Sequence, residues 1–422
     1  MMISYMQGLD TFNGFVGTVL ILLCGLGCAL AFAPKRTGVH AAIWGALAAD
    51  LLVLLMLVAV FRYLSDDSET WHILATQASD FLTGRTEYSV TYVDGKLGYL
   101  WIVGGIYAVT GSTPMAPIML GIVCHLLLVT VIARITALLA PSQPPQAIRR
   151  SAYLAAFLPC IVWWTPHILR ESLTFMLVAT ALYGAMRIVS GRGQRAATLA
   201  FTCAALATLI WIRGSLGYMV TIGVVLGVLY VRAGRSRYHT AIRSALIGTG
   251  IAAFPFVFQV LSESLGLTED GIAIVTSELS DIAVSGFPGL VNETNLLRIL
   301  SVTIPRVLAG PFPWELAPNG VMALAFMELV CWLAIGLGAI RARKAFLPNQ
   351  LLADRRYLIG LIIVVFAVVI VALAITAGNY GILARFRPIA TVVIIPLAGI
   401  GFSFTRSPSR SRSQSLSWVS GS

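Results

Sequence analysis

Two adjacent carboxylates, Asp66 and Asp67, begin a polar segment (SDDSETWHILATQASDFLTG) shortly after an apolar stretch that ends at Phe61. A carboxylate at a membrane surface can take the proton from an attacking hydroxyl group, and paired carboxylates can hold a divalent cation such as Mg²⁺ or Mn²⁺. Successive residues of a helix point about 100° apart, so we expect only one of the two to face a substrate. Asp66 and Asp67 are therefore the predicted catalytic residues and candidate metal ligands.

Arginines near the ends of apolar segments are the second candidate group, because the planar guanidinium group matches phosphate oxygens bidentately. Arg385 and Arg387 lie two residues apart in a short turn between two apolar segments, and Arg170 and Arg213 each lie at the end of one. We predict that these four residues bind a phosphate group. Anchoring to phospholipid headgroups is the alternative for Arg385 and Arg387.

The spacing of His167, Arg170 and Glu171 allows His167 to share a helical face with both charged residues. This spacing favours a polar cluster that lines a cavity or, equally, an ion pair that caps a helix. Pro166 predicts that the preceding helix ends there and that the next one starts. The residues predicted to line a substrate cavity are Trp71, His167, Glu171 and Arg306.

The composition indicates how these residues are positioned. Of 422 residues, 58% are hydrophobic and 11% are charged, and the mean hydropathy is +0.87. These values predict an all-α polytopic membrane protein and exclude an ordinary soluble domain. Windows of about 20 apolar residues can cross the bilayer; we predict eleven spans, near 14–33, 41–61, 114–136, 151–166, 171–189, 196–212, 214–231, 241–261, 319–340, 358–378 and 388–404.

The distribution of Lys and Arg predicts the orientation, because cationic loops stay in the cytoplasm. It places the N-terminus outside and the C-terminus in the cytoplasm of an integral, multi-pass protein of the plasma (inner) membrane. Residues 1–405 then form a single transmembrane domain, and 406–422 form a disordered basic cytoplasmic tail. The pI near 9.7 indicates contact with membrane lipids and does not indicate nucleic-acid binding.

Two long outer loops, at about 62–113 and 262–318, are predicted to carry short interfacial helices. Residues 98–111 (GYLWIVGGIYAVTG) are too short for a span, and a span there would move every later basic cluster outside. We predict a helix in the outer leaflet with Tyr99, Trp101 and Tyr107 at the interface. Long loops are usually functional or disordered; simple capping of the outer face is the alternative.

Asp50 and Glu328 lie inside predicted spans, where a charge must face the protein interior or water. His125, near the middle of its span, is predicted to pair with Asp50. Acids in the membrane are also typical of proton-coupled transporters, but the sequence shows no inverted repeat. No GxxxxGK[ST], GxGxxG or HExxH motif is present, which argues against an ATP-driven pump and favours a substrate that is already in the membrane.

The segment SDDSETW, with an aromatic residue four positions after Asp67, followed by ATQASDFLTG, resembles the first outer loop of the GT-C superfamily of membrane glycosyltransferases. Residues 98–135 resemble the surface helix and second core span of bacterial members related to protein mannosyltransferases and lipid-A sugar transferases. Residues 163–184 and 379–401 match more loosely. The likeness covers roughly 41–190 and 375–402. An extra span precedes the acidic loop, and Trp71 stands where Tyr is more usual.

The resemblance implies transfer of a sugar from a polyprenyl-phosphate-linked donor to a glycan, lipid or protein acceptor on the outer face, in cell-envelope glycan or glycolipid assembly. Asp66 or Asp67 would be the base. Wzy-type polysaccharide polymerases and O-antigen ligases are the first alternative, because Arg306, Arg385 and Arg387 suit their reliance on outer arginines. A secondary transporter is the second alternative, and a non-catalytic envelope assembly protein is the third.

Overall fold

The structure is a computed structural model that describes residues 3–35, 37–62, 64–87, 97–141, 145–191, 194–233, 296–316, 318, 320–346, 356–376 and 379–403. Every regular element within these ranges is helical, as the composition predicts. The predicted span at 241–261, most of the second long loop and the predicted tail at 406–422 lie outside the described residues.

The helices, in chain order, are α1 (Phe12–Phe32), α2 (Val39–Val60), α3 (Asp66–Leu82), α4 (Leu97–Thr110), α5 (Met115–Leu139), α6 (Pro145–Ala156), α7 (Pro159–Trp164), α8 (Glu171–Ser190), α9 (Arg195–Ile212), α10 (Gly214–Ala233), α11 (Leu296–Ala309), α12 (Gly320–Phe346), α13 (Arg356–Thr376) and α14 (Tyr380–Ser403). A 3₁₀ turn at Pro313–Glu315 lies between α11 and α12. Within the described ranges, nine helices are long and apolar enough to cross a membrane, namely α1, α2, α5, α8, α9, α10, α12, α13 and α14. The chain therefore has the helices of a multi-pass membrane protein.

The prediction of one continuous span at 151–166 is wrong. These residues are divided between α6 and α7, and the chain leaves the helix at Phe157 and Leu158. Pro159 causes the break because it has no N–H to donate and its ring disfavours helical geometry in the residue before it. The predicted window of apolar residues was correct in composition, but it contained two short helices.

The two short helices connect opposite ends of the bundle. At one end, Trp164 in α7 lies against Arg385 near the start of α14. At the other end, Arg150 in α6 donates a hydrogen bond to the carbonyl of Phe402, near the end of α14. We call the first the Asp67 end, after the acid of α3 that also contacts Arg385, and the second the basic end.

Charge is divided between these two ends. Apart from Asp50 and Glu328 inside spans, the acids of the described ranges lie towards the Asp67 end; they are Asp10, Asp66, Asp67, Glu69, Asp80, Glu87, Glu171 and Glu315. The described arginines at the basic end are Arg134, Arg149, Arg150, Arg187, Arg195, Arg232, Arg341 and Arg343. This is the partition that the sequence predicts, and it makes the basic end suited to anionic headgroups.

Two central helices position the functional side chains. In α5 and in α14, 83% of the apolar window is buried within the protein, against 22% in α1. Close packing around α14 depends on small residues: a Cβ atom at Gly401 would collide with the carbonyl of Gly338 in α12. A side chain at Gly399 would likewise collide with Ser151 in α6. Small residues let membrane helices approach closely, so α14 is fixed between α6 and α12.

A buried ion pair joins α2 to α5. His125 Nδ1 lies 2.8 Å from Asp50 Oδ2, and its Nε2 donates to the carbonyl of Ala155 at 3.0 Å. Both side chains are fully buried. The predicted pairing of His125 with Asp50 is therefore confirmed, and it locks α2, α5 and α6 together.

The first long loop contains two helices, α3 and α4, that cross each other. Tyr99 and Tyr107, which were predicted with Trp101 to lie at the membrane interface, have side chains that are buried within the protein. Their depth in the membrane stays a prediction. Tyr99 contacts the edge of Trp71, and the Tyr107 hydroxyl lies 2.7 Å from His72 Nδ1. Gly104 permits this approach, since a Cβ atom there would lie 2.7 Å from that of Ala78.

Candidate functional site

Arg385 joins two carboxylates at the Asp67 end of the bundle. Its Nη1 lies 2.8 Å from Asp67 Oδ2, and its Nε lies 2.8 Å from Glu171 Oε1. The Asp67 side chain is 63% exposed and that of Glu171 is 1% exposed. The arrangement thus runs from the surface into the protein, with one carboxylate accessible to a substrate and the other buried beneath it.

Arg213 and Arg170 surround the buried carboxylate. Arg213, which follows the last residue of α9, lies with Nη1 3.6 Å from Glu171 Oε1. Arg170 precedes the first residue of α8, and its Nη1 donates to the carbonyl of Ile212 at 3.2 Å. The described side chains of this cluster therefore bring three guanidinium groups against two carboxylates, which leaves an excess of positive charge.

The cluster also contains buried polar atoms without partners. Seven buried side-chain N or O atoms in the described part of the chain lack a hydrogen-bond partner, and five of them lie here. They are Trp164 Nε1, His167 Nδ1, Glu171 Oε2 and both terminal nitrogens of Arg213. A buried polar atom without a partner costs about 1–3 kcal/mol, so these five atoms mark a place where a ligand or ordered water can supply hydrogen bonds.

Each of the three arginines lies against an aromatic ring. The Cζ atoms lie 5.5 Å from the ring centre of Trp164 for Arg385, 3.8 Å from that of Phe386 for Arg213, and 5.9 Å from that of Trp71 for Arg170. Such stacking holds the planar guanidinium groups in fixed orientations. Fixed orientation lowers the entropy that is lost when the groups bind an anion.

Electrostatics explain why this cluster favours an anion. Burial, followed by the charge of Arg170, lowers the pKa of the Arg213 guanidinium, whereas Glu171 opposes the shift. Burial likewise lowers the pKa of Arg170, with a smaller opposing effect from Glu171 and a further lowering by Arg385. Burial thus costs the Arg170 and Arg213 cations more free energy than their attraction to Glu171 offsets. A bound anion would reduce this cost.

His167 faces the same cluster from the connection between α7 and α8. The prediction that it shares a helical face with Arg170 and Glu171 is wrong, because residues 165–170 are not helical and α8 begins only at Glu171. Pro166 ends α7, as predicted, but does not start α8. Burial lowers the pKa of His167 to about 4, with a smaller lowering by Arg385, so the ring is neutral near pH 7.

Two of the predicted arginines belong to a different cluster. Arg387 donates to Glu328 Oε2 at 2.5 Å and to the carbonyls of Val307, Arg306 and Gly310 at 3.0, 2.9 and 2.6 Å. Arg306 contacts Glu315 at 2.8 Å, and Tyr380 also bonds Glu315. Every nitrogen of Arg387 thus has a protein partner, and these bonds fasten the end of α11 to α14.

The structure brings together seven of the ten predicted site residues. Asp67, Trp71, His167, Arg170, Glu171, Arg213 and Arg385 surround one position, whereas Arg306 and Arg387 make the separate contacts given above. Asp66 is the first residue of α3, and its side chain lies outside the described set. Trp164 and Phe386 were not predicted from the sequence; Phe386 lies between Arg385 and Arg387, and the WW pair shortly before Pro166 was an available signal for Trp164.

The described residues of this cluster offer few ligands for a divalent cation. In the ranges that the structure describes, no group of three or more His, Cys, Asp or Glu side chains converges. Asp67 Oδ2 is already paired with Arg385, and the surrounding guanidinium groups would repel Mg²⁺ or Mn²⁺. The metal-binding role of Asp66 and Asp67 stays a prediction.

No family model, no curated protein and no solved structure matches this chain. The function of this chain is therefore inferred from the geometry of the Asp67–Arg385–Glu171 cluster, the buried atoms without hydrogen-bond partners around it, and its place at the ends of apolar helices.

Proposed function

We propose that this chain is a membrane glycosyltransferase of the GT-C type. It would move a sugar from a polyprenyl-phosphate-linked donor to a glycan, lipid or protein acceptor, in cell-envelope glycan or glycolipid assembly. The observation that carries the proposal is an accessible carboxylate, Asp67, held by an arginine above a buried set of polar atoms that lack partners. A base next to an anion site is what transfer from a sugar phosphate requires.

The donor phosphate would bind on the arginines. Arg213 has two buried terminal nitrogens without hydrogen-bond partners, Trp164 has one buried N–H, and both flank Arg385. These groups can donate to phosphate oxygens from several directions. The apolar prenyl chain would extend among the membrane-spanning helices, of which α8 and α14 begin beside the cluster.

In the proposed reaction, Asp67 and the three arginines have different roles. Asp67 would take the proton of the acceptor hydroxyl while that oxygen bonds to the anomeric carbon of the sugar. The bond between this carbon and the phosphate oxygen would break, and its electron pair would leave with polyprenyl phosphate. Arg385, Arg213 and Arg170 would stabilise the departing negative charge, and Arg385 would also orient Asp67.

The proposal includes the orientation predicted from charge. Eleven crossings, with α6 and α7 together counted as one and the predicted span at 241–261 included, would place the N-terminus outside and the C-terminus in the cytoplasm of the plasma (inner) membrane, with the Asp67 end facing outwards. The division of charge between the two ends of the described helices supports it, because basic ends remain cytoplasmic. A labelling experiment on single cysteines introduced at Ser112 and Gln194, in a chain whose native cysteines are replaced, would test it from the two sides.

The polymerase and ligase alternative depends on arginines that are free to bind a lipid-linked oligosaccharide. Arg387 already bonds four protein groups, and Arg306 pairs with Glu315, so of the three arginines assigned to this role only Arg385 joins the cluster.

The transporter alternative depends on acids within the spans. Asp50 is paired with the buried His125, and Glu328 is paired with the buried Arg387, which favours structural roles for both acids.

The test is the envelope glycan profile of a strain that lacks this protein. The strain would be complemented with the intact chain, with Asp67→Asn, with Asp66→Asn, and with Asp80→Asn as a matched control. Asp80 also lies on α3, but it pairs with Arg85 at 3.5 Å and lies outside the cluster. Expression and membrane insertion of each variant would be compared first.

Glycans that lack one sugar, restored by the intact chain and by Asp80→Asn but not by Asp67→Asn, would support the transferase. Single repeat units in place of long polymer, restored by Asp67→Asn, would favour the polymerase. An unchanged profile in the deletion strain would contradict both activities and make a secondary transporter the better proposal.

A further inference from the structure

A groove at the basic end lies between α8, α9 and α10, far from the Asp67 cluster along the helices. It encloses about 350 Å³ and is lined by Ile188, Val189, Gly191, Arg195, Ala196, Leu199, Val231 and Arg232. Arg195 is the first residue of α9, and Arg232 lies in the last turn of α10. The groove therefore combines two arginines with aliphatic side chains from the last turns of α8 and α10 and the first turns of α9.

The two arginines have no counterion within the described part of the chain. Neither forms an ion pair there, and both side chains are exposed. Two neighbouring arginines without an acid attract an anion, and their position at the end of three spans places that anion at the level of lipid headgroups.

The aliphatic lining continues onto surface that faces lipid. Leu199, one turn into α9, is 53% exposed, and only 33% of the α9 span is buried within the protein. An acyl chain could therefore enter the groove from the bilayer while its headgroup stays near Arg195 and Arg232. A small anion such as inorganic phosphate would use the arginines and leave the aliphatic part without a partner.

We propose that this groove is a binding site for an anionic phospholipid. The phosphate of the headgroup bonds Arg195 and Arg232, and one acyl chain lies against Ile188, Leu199 and Val231. The charge of the groove selects anionic over zwitterionic lipids, and the aliphatic lining selects a lipid over a free anion. The site is independent of the proposed sugar transfer, because it lies at the other end of the bundle.

Lipid binding can be measured on the full chain, purified in a neutral detergent. Phosphatidylglycerol and phosphatidylcholine would be titrated separately and bound lipid counted by native mass spectrometry. The variant Arg195→Gln with Arg232→Gln removes the two groove charges. The matched control, Arg341→Gln with Arg343→Gln, removes two exposed arginines at the same end on α12.

We expect one phosphatidylglycerol to bind more tightly than phosphatidylcholine. The groove variant should weaken phosphatidylglycerol binding by about 30-fold, since each arginine near the membrane surface contributes about fivefold. Phosphatidylcholine binding should change little, and the α12 control should keep the preference. Arg195→Lys with Arg232→Lys should retain it as well, which separates loss of charge from a folding defect.

Three results would overturn the proposal. Equal affinity for the two lipids would remove the role of charge. Equal losses in the groove and α12 variants would show a general effect of the basic end. Displacement of phosphatidylglycerol by inorganic phosphate at equal concentration would show that the arginines bind a free anion and that the acyl chain contributes nothing.

Discussion

Asp67 and Arg385 lie 318 positions apart in the sequence, and their side chains meet at 2.8 Å. Arg385 also holds Glu171, so three segments of the chain converge on one guanidinium group: the first turn of α3, the start of α8 and the start of α14. Asp67 is the accessible member of this set. The ion pair holds it in one orientation above the buried part of the cluster, as a positioned base requires.

Replacing Asp67 should separate stability from activity. The Asp67 side chain is largely exposed, and exposed ion pairs contribute at most about 1 kcal/mol. Asp67→Asn should therefore change the unfolding midpoint little, while sugar transfer falls by roughly 100-fold or more because the base is lost. Transfer assays with membranes that contain equal amounts of protein would measure this. Asp80→Asn should retain activity; an equal loss there would argue against a specific role for Asp67.

Replacing Glu171 should lower the stability of the protein but strengthen its binding of anions. Glu171→Gln removes the buried negative charge between Arg385 and Arg213. Leaving those cations without compensation should lower the free energy of unfolding by about 3 kcal/mol. The variant should also bind inorganic phosphate more tightly, because the anion replaces the missing charge.

Thermal unfolding at increasing phosphate concentrations would test this prediction. A ligand at about 100 times its Kd adds about 2.7 kcal/mol to the folded state, so phosphate should recover most of the loss. Glu328→Gln is the matched control: it also removes a buried acid, but Arg387 keeps its three carbonyl partners. Equal stabilisation of both variants by phosphate would contradict an anion site around Glu171.

The pairing of Asp50 with His125 could be predicted from the sequence because both are polar residues within apolar helices. The bilayer offers them no partner, so two such residues at similar depth must meet or face water. Asp67 and Arg385 were each identified from their places beside apolar segments, but Arg385 was predicted in a turn, whereas it lies in the first turns of α14. That the two meet could not be predicted, because no local pattern links segments so far apart.

The separate roles of Arg385 and Arg387 also could not be predicted from the sequence. Two residues along a helix differ by about 200° around its axis, so only one of them can face Asp67. Which one does depends on how α14 is rotated. Amphipathic patterning normally sets this rotation, but α14 is apolar on nearly all sides and buried over most of its length. Its rotation follows from packing at Gly399 and Gly401, which only the assembled structure provides.

Low pH should destabilise the packing of α3 against α4, because the buried ring of His72 disfavours a proton. Burial lowers the pKa of His72 from 6.5 to about 4, and its Nδ1 lies 2.7 Å from the Tyr107 hydroxyl. Below pH 6.5 the unfolded chain binds a proton that the folded chain does not, so stability falls as the pH drops from 6.5 towards 4. Between pH 6.5 and 5 the contribution of this residue amounts to about 2 kcal/mol.

The variant His72→Asn removes the titrating ring and keeps a polar group that can bond Tyr107. Its unfolding midpoint should be lower than that of the intact chain at pH 7.5, and its dependence on pH between 6.5 and 5 should be weaker by about 2 kcal/mol. Chemical unfolding in detergent at several pH values would measure both. An unchanged slope with pH would mean that His72 is not the group that takes up the proton.

Arg385 and Arg387 provide the sharpest comparison within one helix. Arg387 is 1% exposed, pairs with Glu328 and bonds three carbonyls, so Arg387→Ala should lower the free energy of unfolding by about 3–5 kcal/mol. The double change Arg387→Met with Glu328→Met should recover much of that loss, since it removes both charges together. Sugar transfer per folded molecule should remain in the double variant, because neither residue contacts the Asp67 cluster.

Arg385→Ala should behave differently. Its side chain is 20% exposed, and its removal separates Asp67 from Glu171 and takes a cation from the phosphate site. We expect a loss of transfer of roughly 100-fold or more, as for other groups that stabilise developing charge, with a smaller loss of stability than in Arg387→Ala. Arg385→Lys should recover little activity, because a lysine cannot hold both carboxylates in the same fork. If the Arg387→Met, Glu328→Met protein were inactive and Arg385→Ala active, the phosphate site would have to be placed around Arg387, and the polymerase would become the better proposal.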